Sequence, residues 1–262
     1  MWRNLSYAIF LLSCFTYAEL SDTKNNEWDF LIFTQHWPAT ICRIWMEKPT
    51  HSCIMPHEQN SWTIHGIWPN KNHSMGPFFC NKTWSFDPDQ VKSIETDLEE
   101  SWGNIEKEQS LYSLWAHEWT KHGTCAASIE PLNCELKYFT KGLEWLKKYT
   151  MKNILNNAGI TPSDMKEYKA IDFHNAVKTK LGFKPMVECH KVDGKQFLFE
   201  IRICFSKSLE LIDCEDTHMT NTDIITNCKP TEGIIYPVTE KPPKRYLIQL
   251  HRLLSWLRWF TV

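Results

Sequence analysis

The chain has 262 residues, of which 42% are hydrophobic and 23% are charged. This composition excludes a disordered, charge-rich protein and is sufficient to form one hydrophobic core. The 29 basic and 31 acidic side chains give a formal net charge of -2. That balance excludes a globally basic nucleic-acid coat, so a polyanionic partner would have to be bound by a local cluster. The ten cysteines indicate an oxidising compartment.

The N-terminal residues 1–18 have the pattern of a secretory signal peptide. Arg3 precedes a short apolar run that ends near Ala18. The run is too short to span a bilayer. Cleavage near Ala18 would remove Cys14 and leave nine cysteines. We therefore predict a secreted or lysosomal protein.

The elements predicted in chain order mix strands and helices. Strands are predicted over residues 28–37, 62–68, 184–190 and 196–205, and helices over 89–102, 109–122, 133–157 and 171–181. A loop is expected after the first strand, and Gly159 is the expected stop of the third helix. Strands and helices do not alternate regularly, which predicts an α+β fold. We expect a single domain over residues 19–243.

The segment 62–68 alternates as a strand does. Its period predicts Trp62, Ile64 and Trp68 on one face, and Thr63, His65 and Ile67 on the other. A single histidine on a strand is usually structural. A catalytic role for His65 is nevertheless favoured by the tryptophans around it and by a second cluster of reactive side chains farther along the chain.

That second cluster is the segment 115–125, WAHEWTKHGTC. On an α-helix, Glu118 and His122 share one face, and His117 and Lys121 share the next. A surface helix would explain one such pair, but four reactive side chains within six residues favour a site. Zinc is disfavoured because His117 and His122, five residues apart, would point about 140° away from each other on an α-helix.

Two histidines, a carboxylate and an ammonium suit the cleavage of RNA. One imidazole can deprotonate the ribose 2′-hydroxyl while the other protonates the departing 5′-oxygen, without a metal. A lysine ammonium can stabilise the additional negative charge on phosphate. Exposed aromatic rings can stack on unpaired bases.

Three segments of the chain resemble the ribonuclease T2 family. SWTIHGIWPNK (61–71) and LWAHEWTKHGTCA (114–126) resemble its two active-site segments, and QHWP (35–38) resembles its first-strand motif. The resemblance extends from about Trp28 to Pro237. It implies an α+β fold with an antiparallel sheet flanked by helices, and an endoribonuclease that cleaves single-stranded RNA through a 2′,3′-cyclic phosphate. It also implies low base specificity. We expect no cofactor and no metal, because the histidine spacing disfavours zinc and two imidazoles can carry out both proton transfers.

The same resemblance implies a role for each matching catalytic residue. His65 corresponds to the general acid for the 5′-oxygen, and His122 to the general base for the 2′-hydroxyl. Glu118 and Lys121 correspond to the pair that stabilises the phosphorane.

Three further matches are implied to contact the substrate. His117 corresponds to a phosphate-binding histidine and Trp62 to a base-stacking position. Gln35 belongs to the first-strand motif and is assigned to substrate binding.

The cysteines alone leave the disulfide pattern open, since eight cysteines allow about a hundred pairings. The resemblance selects four pairs: Cys42–Cys53, Cys80–Cys125, Cys189–Cys228 and Cys204–Cys214. It leaves Cys134 as an unpaired thiol that is either buried and inert or paired between molecules. Asn72 and Asn81 each begin an Asn-X-Ser/Thr sequon, so both are predicted glycosylation sites.

The C-terminal residues 244–262 form a basic amphipathic pattern that family members do not generally share. Either the tail contacts anionic membrane surfaces, or it packs on the domain or is disordered. We expect a monomer whose partner is single-stranded RNA and not DNA. The alternative function is an extracellular RNA-binding or signalling protein that does not need catalysis. A membrane-active toxin that uses the tail is a more distant alternative.

Overall fold

The structure is a computed structural model that describes residues 27–58, 60–72, 74, 76–215 and 224–238. The predicted signal peptide and the predicted C-terminal tail lie outside the described residues. Within them, helices pack on one sheet, as the α+β prediction required. Among the helices that the structure describes, none combines the length and apolar composition needed to cross a membrane.

Eight strands form the sheet. They are β1 (Phe30–His36), β2 (Thr63–Asn70), β3 (Ser163–Tyr168), β4 (Met186–Val192), β5 (Lys195–Phe205), β6 (Leu211–Ile212), β7 (Ile225–Thr226) and β8 (Ile234–Tyr236). The main order is β2-β1-β5-β4-β7, with β6 and β8 also paired to β5 and β3 paired to β8. The long strands are antiparallel, as predicted, but β4–β7 and β5–β8 are parallel. The strands β3, β6, β7 and β8 were not predicted.

Each of the helices contributes residues to the main hydrophobic core. They are α1 (Pro38–Trp45), α2 (Glu95–Ser101), α3 (Ser113–Glu118), α4 (Glu135–Lys148), α5 (Met151–Asn157) and α6 (Ala170–Leu181), with 3-10 turns at Pro88–Ile94 and Glu130–Leu132. The expected loop after β1 is wrong at its start, because α1 begins there with Pro38 in the first turn, where proline is well tolerated.

The single long helix expected over residues 133–157 is also wrong, because it breaks between α4 and α5. Gln35 lies in this break. Its amide nitrogen donates to the Tyr149 carbonyl (2.8 Å), and its amide oxygen accepts from the Met151 N–H (3.2 Å). Gln35 therefore satisfies two backbone groups that a continuous helix would have paired internally.

The two faces of the sheet differ in chemistry. Leu31, Phe33 and Ile203 point into the main core with most of the tryptophans. The ring of Phe205 stacks on Trp145 of α4 at 3.8 Å. Residues on the alternate positions of β1 and β5 point to the opposite face, where a smaller apolar cluster is followed by charged side chains. The functional candidates lie on this second face.

The four predicted disulfides, Cys42–Cys53, Cys80–Cys125, Cys189–Cys228 and Cys204–Cys214, are all present. The prediction of an unpaired Cys134 is wrong in this structure. Cys134 is disulfide-bonded as well, and none of the described cysteines is free.

Candidate active site

His65 is placed by a β-bulge in β2. Thr34 of β1 pairs with Gly66, and the next residue, Gln35, pairs with Ile64, so His65 is the extra residue of the bulge. The bulge shifts the alternation of side chains by one position. Ile64 and Ile67 consequently both point into the main core. The predicted separation of His65 and Trp68 onto opposite faces is therefore wrong: their rings contact each other, with centroids 4.9 Å apart.

Two buried carboxylates flank the imidazole of His65. Its Nδ1 lies 2.5 Å from a carboxylate oxygen of Glu200 on β5. Its Nε2 lies 3.8 Å from a carboxylate oxygen of Glu118 at the end of α3. Burial alone would lower the pKa of His65, but Glu200 and Glu118 outweigh that effect and raise the pKa above its ordinary value.

Glu200 is itself paired with Arg202, two residues along β5. The guanidinium donates twice to the second oxygen of Glu200, at 2.8 and 3.1 Å. Burial would raise the pKa of Glu200, but His65 and Arg202 prevail and hold it at about 2. The carboxylate is therefore ionised. Arg202 also stacks over the Trp68 ring, 5.1 Å from its centroid.

The helix that carries the second cluster contains a π-helical turn. After α3, residues Trp119–Gly123 form this turn, and the Thr124 N–H bonds the Trp119 carbonyl five residues earlier. The wider turn brings positions five apart closer together in angle than an α-helix would. The expected 140° separation of His117 and His122 is therefore wrong, since their ring centroids lie 6.4 Å apart.

The π-helical turn also changes the argument about metal. Donor atoms of His117, Glu118 and His122 lie within 4.8 Å of one another. Helical spacing therefore gives no reason to exclude a cation at these three residues. Metal independence stays a prediction that needs its own measurement.

Gly66 allows Glu118 to reach β2. A Cβ built on Gly66 would lie 2.0 Å from a Glu118 carboxylate oxygen and 2.3 Å from the indole nitrogen of Trp68. The same carboxylate oxygen accepts the Trp68 indole N–H at 2.8 Å. Burial raises the pKa of Glu118 to about 7. Any side chain larger than hydrogen at position 66 would displace this contact.

The electrostatics around His122 are opposite to those around His65. The His122 ring is buried between Trp68 and Phe78, with centroids at 5.3 and 5.6 Å. Burial, and then the charges of Lys121 and His117, lower its pKa to about 2. Burial, and then the charge of Lys121, also lower the pKa of His117.

The loop before Cys80 closes this side of the site. The Lys121 ammonium lies 5.3 Å from the centroid of the Phe78 ring. The Phe79 N–H donates to the Lys121 carbonyl at 2.9 Å. Cys80 is bonded to Cys125, just past the π-helical turn. The loop and the helix are thus joined covalently beside His122.

Buried aromatic side chains fix the backbone beneath His65. The indole N–H of Trp102 donates to the His65 carbonyl at 2.8 Å. The hydroxyl of Tyr138 donates to the Ile67 carbonyl at 2.9 Å. These bonds hold β2 on both sides of Gly66.

The structure brings together His65, His117, Glu118, Lys121 and His122, but it corrects two predicted substrate contacts. Trp62 is 2% exposed, and its ring packs on Trp37 while its N–H donates to the Tyr236 hydroxyl. It therefore has no open face for a base. Gln35 is 0% exposed, and both of its amide atoms bond the backbone at the α4–α5 break.

The sequence analysis missed Glu200, Arg202, His36 and Phe78. Charged residues at alternate positions of the otherwise apolar β5 were the signal for Glu200 and Arg202. His36 adjoins His65, with ring centroids 5.3 Å apart, and burial lowers its pKa to about 3. Phe78 is 41% exposed beside His122.

The predicted glycosylation sites differ in accessibility. Asn72 is exposed, while Asn81 is half-buried. The amide oxygen of Asn81 accepts from both the N–H and the hydroxyl of Thr83. Glycan attachment at either position stays a prediction.

Known proteins resemble this chain over most of its length. A model of the ribonuclease T2 family matches residues 28–214. Ribonuclease Oy of Magallana gigas is 37% identical over 215 residues, which are 80% of this chain and 97% of that protein. The crystal structure of human RNase T2 is 31% identical with a TM-score of 0.66, covering 80% of this chain and 98% of that one. The structure of RNase NT in complex with 5′-AMP is 27% identical with a TM-score of 0.66, covering 81% of this chain and 99% of that one.

Proposed function

Because the chain belongs to the ribonuclease T2 family and is an endoribonuclease of that type, we propose that it cleaves single-stranded RNA by transphosphorylation with low base specificity. The observation that carries this mechanism is the opposite tuning of two imidazoles at one site. The pKa of His65 is raised, and that of His122 is lowered to about 2. An acid–base pair is recognised by environments that push two such pKa values apart.

His122 acts as the general base. Its lowered pKa keeps the imidazole neutral across the acidic and neutral range. A bound phosphodiester adds negative charge beside the ring and so raises this pKa, which makes the imidazole a stronger base in the complex. The ring takes the proton of the ribose 2′-hydroxyl while the 2′-oxygen attacks phosphorus.

His65 acts as the general acid. Its raised pKa keeps the imidazolium protonated, and the proton passes to the 5′-oxygen as the bond from phosphorus to that oxygen breaks. The products are a 2′,3′-cyclic phosphate and a free 5′-hydroxyl, so every proton and electron pair is accounted for. His122 then carries the proton that His65 has lost.

Lys121 and Glu118 stabilise the phosphorane, and His117 binds the phosphate. The lysine lies on the π-helical turn, and the exposed His117 precedes Glu118 on α3. A positive charge placed where negative charge develops lowers the barrier, because it interacts more strongly with the transition state than with the substrate. A Glu118 that is protonated near neutral pH can donate a hydrogen bond to a phosphoryl oxygen.

Low base specificity agrees with the character of the surface beside His122. Phe78 offers an exposed ring, and stacking on an aromatic ring tolerates every base. The four disulfides favour a secretory route, since such bonds persist in oxidising compartments. We also propose a monomer that does not require a metal and does not act on DNA.

The decisive experiment compares wild-type protein with His122→Ala on single-stranded RNA in the presence of EDTA. Wild-type protein should release fragments that end in 2′,3′-cyclic phosphate, and the variant should not. Loss of wild-type activity in EDTA would contradict metal independence. Full cleavage by a folded His122→Ala variant would overturn the assignment of the base.

A further inference from the structure

The side of His65 that faces away from Glu118 is occupied by a carboxylate that no role in the proposed reaction yet explains. We propose that Glu200 is the positioning residue of the general acid: its carboxylate accepts the Nδ1–H of His65 and so presents the Nε2–H to the leaving 5′-oxygen. This inference rests on the proposed function for the role of His65, and it adds a residue that does not itself touch the RNA.

Geometry assigns the proton positions. The Glu200 oxygen lies 2.5 Å from Nδ1, and an ionised carboxylate can only accept a hydrogen bond. The Nδ1 atom must therefore carry a hydrogen in both the neutral and the charged imidazole. Nε2, 3.8 Å from Glu118, is then the nitrogen that gains and loses the catalytic proton.

Arg202 keeps Glu200 ionised, which is the form that can accept the Nδ1–H of His65. Both guanidinium contacts go to one carboxylate oxygen, Oε2, which leaves Oε1 to the imidazole. Glu200 is 0% exposed, and a buried carboxylate without a cation would be protonated. The third guanidinium nitrogen lies 3.4 Å from Glu188 on β4, which orients Arg202 from the other side.

Other ionisable groups face this pair from the neighbouring elements. His36 on β1 is neutral because burial lowers its pKa to about 3. When it is ionised, Glu118 on α3 adds negative charge near Nε2, and Arg202 on β5 opposes protonation of His65. Glu200 remains the main group that favours the imidazolium, since it combines charge with a direct hydrogen bond.

The test measures two substrates with Glu200→Gln and a matched control. The first substrate is a dinucleoside monophosphate, whose leaving alkoxide needs a proton. The second is uridine 3′-(4-nitrophenyl phosphate), whose aryl leaving group departs as the anion without one. Glu135→Gln is the control, because Glu135 is another buried carboxylate (2% exposed) but contacts the Asp87 N–H instead of a histidine.

Glu200→Gln should lower kcat for the dinucleotide by roughly 10- to 100-fold, because only part of the general-acid contribution is lost. KM and the rate for the aryl ester should be almost unchanged. The basic limb of the pH profile should move to lower pH by at least about one unit. Glu200→Asp, which keeps the charge, should restore most of that limb. Equal losses on both substrates, or an unmoved basic limb, would overturn the inference.

A measurement on the wild-type protein does not depend on any variant folding. With ¹⁵N-labelled histidine, the neutral form of His65 should show a protonated Nδ1 and an unprotonated Nε2. The opposite tautomer would overturn the positioning role whatever the activity. Failure of the proposed function looks different: a folded His65→Ala variant would then cleave RNA at the wild-type rate.

Discussion

The strand that carries His65 and the helix that carries His122 shift the pKa of their histidines in opposite directions. On the sheet, a neighbouring strand supplies a buried carboxylate at 2.5 Å, which raises the pKa of the imidazole and favours its charged form. On the helix, aromatic rings bury the imidazole next to Lys121, and it is kept neutral. The charged partner of His65 is distant in sequence and is brought in by strand pairing, whereas the charges that act on His122 come mainly from the neighbouring Lys121 and His117.

This difference means that each histidine can be altered separately. A change behind β2 should affect the proton that is donated, and a change on the π-helical turn should affect the proton that is removed. The two substrates introduced above distinguish these effects, because only one of them needs the donated proton.

The largest expected effects come from removing the two imidazoles. His65→Ala and His122→Ala should each reduce dinucleotide cleavage by about 10³-fold, within the usual range for general acid–base catalysis. On the aryl ester, His65→Ala should remain active while His122→Ala should not. His51→Ala is the control, since His51 stacks on Trp45 outside the site. Identical losses for both variants on both substrates would end the assignment of separate roles.

A smaller effect is expected from Lys121→Met, which removes the cation beside His122. Loss of one stabilising charge should lower kcat by about 100-fold or more. Because Lys121 lowers the pKa of His122, its removal raises that pKa, and the acidic limb of the pH profile should move to higher pH. Lys137→Met is the control, because Lys137 pairs with Glu130 elsewhere. An acidic limb that stays in place would show that Lys121 does not tune the base.

Gly66→Ala tests the contact between β2 and Glu118 at the end of α3. The added methyl group would overlap the Glu118 carboxylate, which is 1% exposed and has no room to move. We expect activity to fall by roughly 10- to 100-fold, as for other displacements of about 1 Å. Gly233→Ala is matched, because its Cβ would meet the exposed Glu167 carboxylate, which can turn into solvent. Equal activity of the two variants would contradict the close approach of Glu118 to β2.

The smallest effect on activity should come from the disulfide beside the π-helical turn. Replacing Cys80 and Cys125 by serine should release the Phe78 loop and lower activity several-fold. The Cys189–Cys228 pair is the control, because the sequence separations are 45 and 39. Loss of either disulfide should lower the free energy of unfolding by roughly 4 kcal/mol by the chain-entropy estimate. Urea denaturation and activity below the transition check this, and equal activity losses would contradict a local role for Cys80–Cys125.

The sequence identified which residues of the helix cluster belong to the site, but it did not predict how they are arranged. The pattern around Glu118 and His122 favoured an α-helix, since a π-helical turn has no distinct composition. Whether one extra residue is accommodated depends on packing with Trp84 and Tyr138, which both contact Trp119. Angles calculated for an α-helix therefore failed at His117 and His122.

The β-bulge at His65 was not predicted, for a related reason. Regular alternation over residues 62–68 described a strand correctly, but pairing with β1 decides where the extra residue lies. Glu200 is 135 positions from His65, so only the folded sheet brings the two together. Local pattern identified reactive residues within short segments, and long-range pairing determined their partners.

The β-bulge at His65 has a consequence for anyone who redesigns this site. In a regular strand, a library that varied positions 65 and 67 would change two adjacent side chains on the same surface. Here the adjacent surface positions are 65 and 68, while Ile67 belongs to the core. Deleting one residue between Ile64 and Ile67 would restore the regular alternation, with both isoleucines still facing the core and Trp68 still on the opposite face.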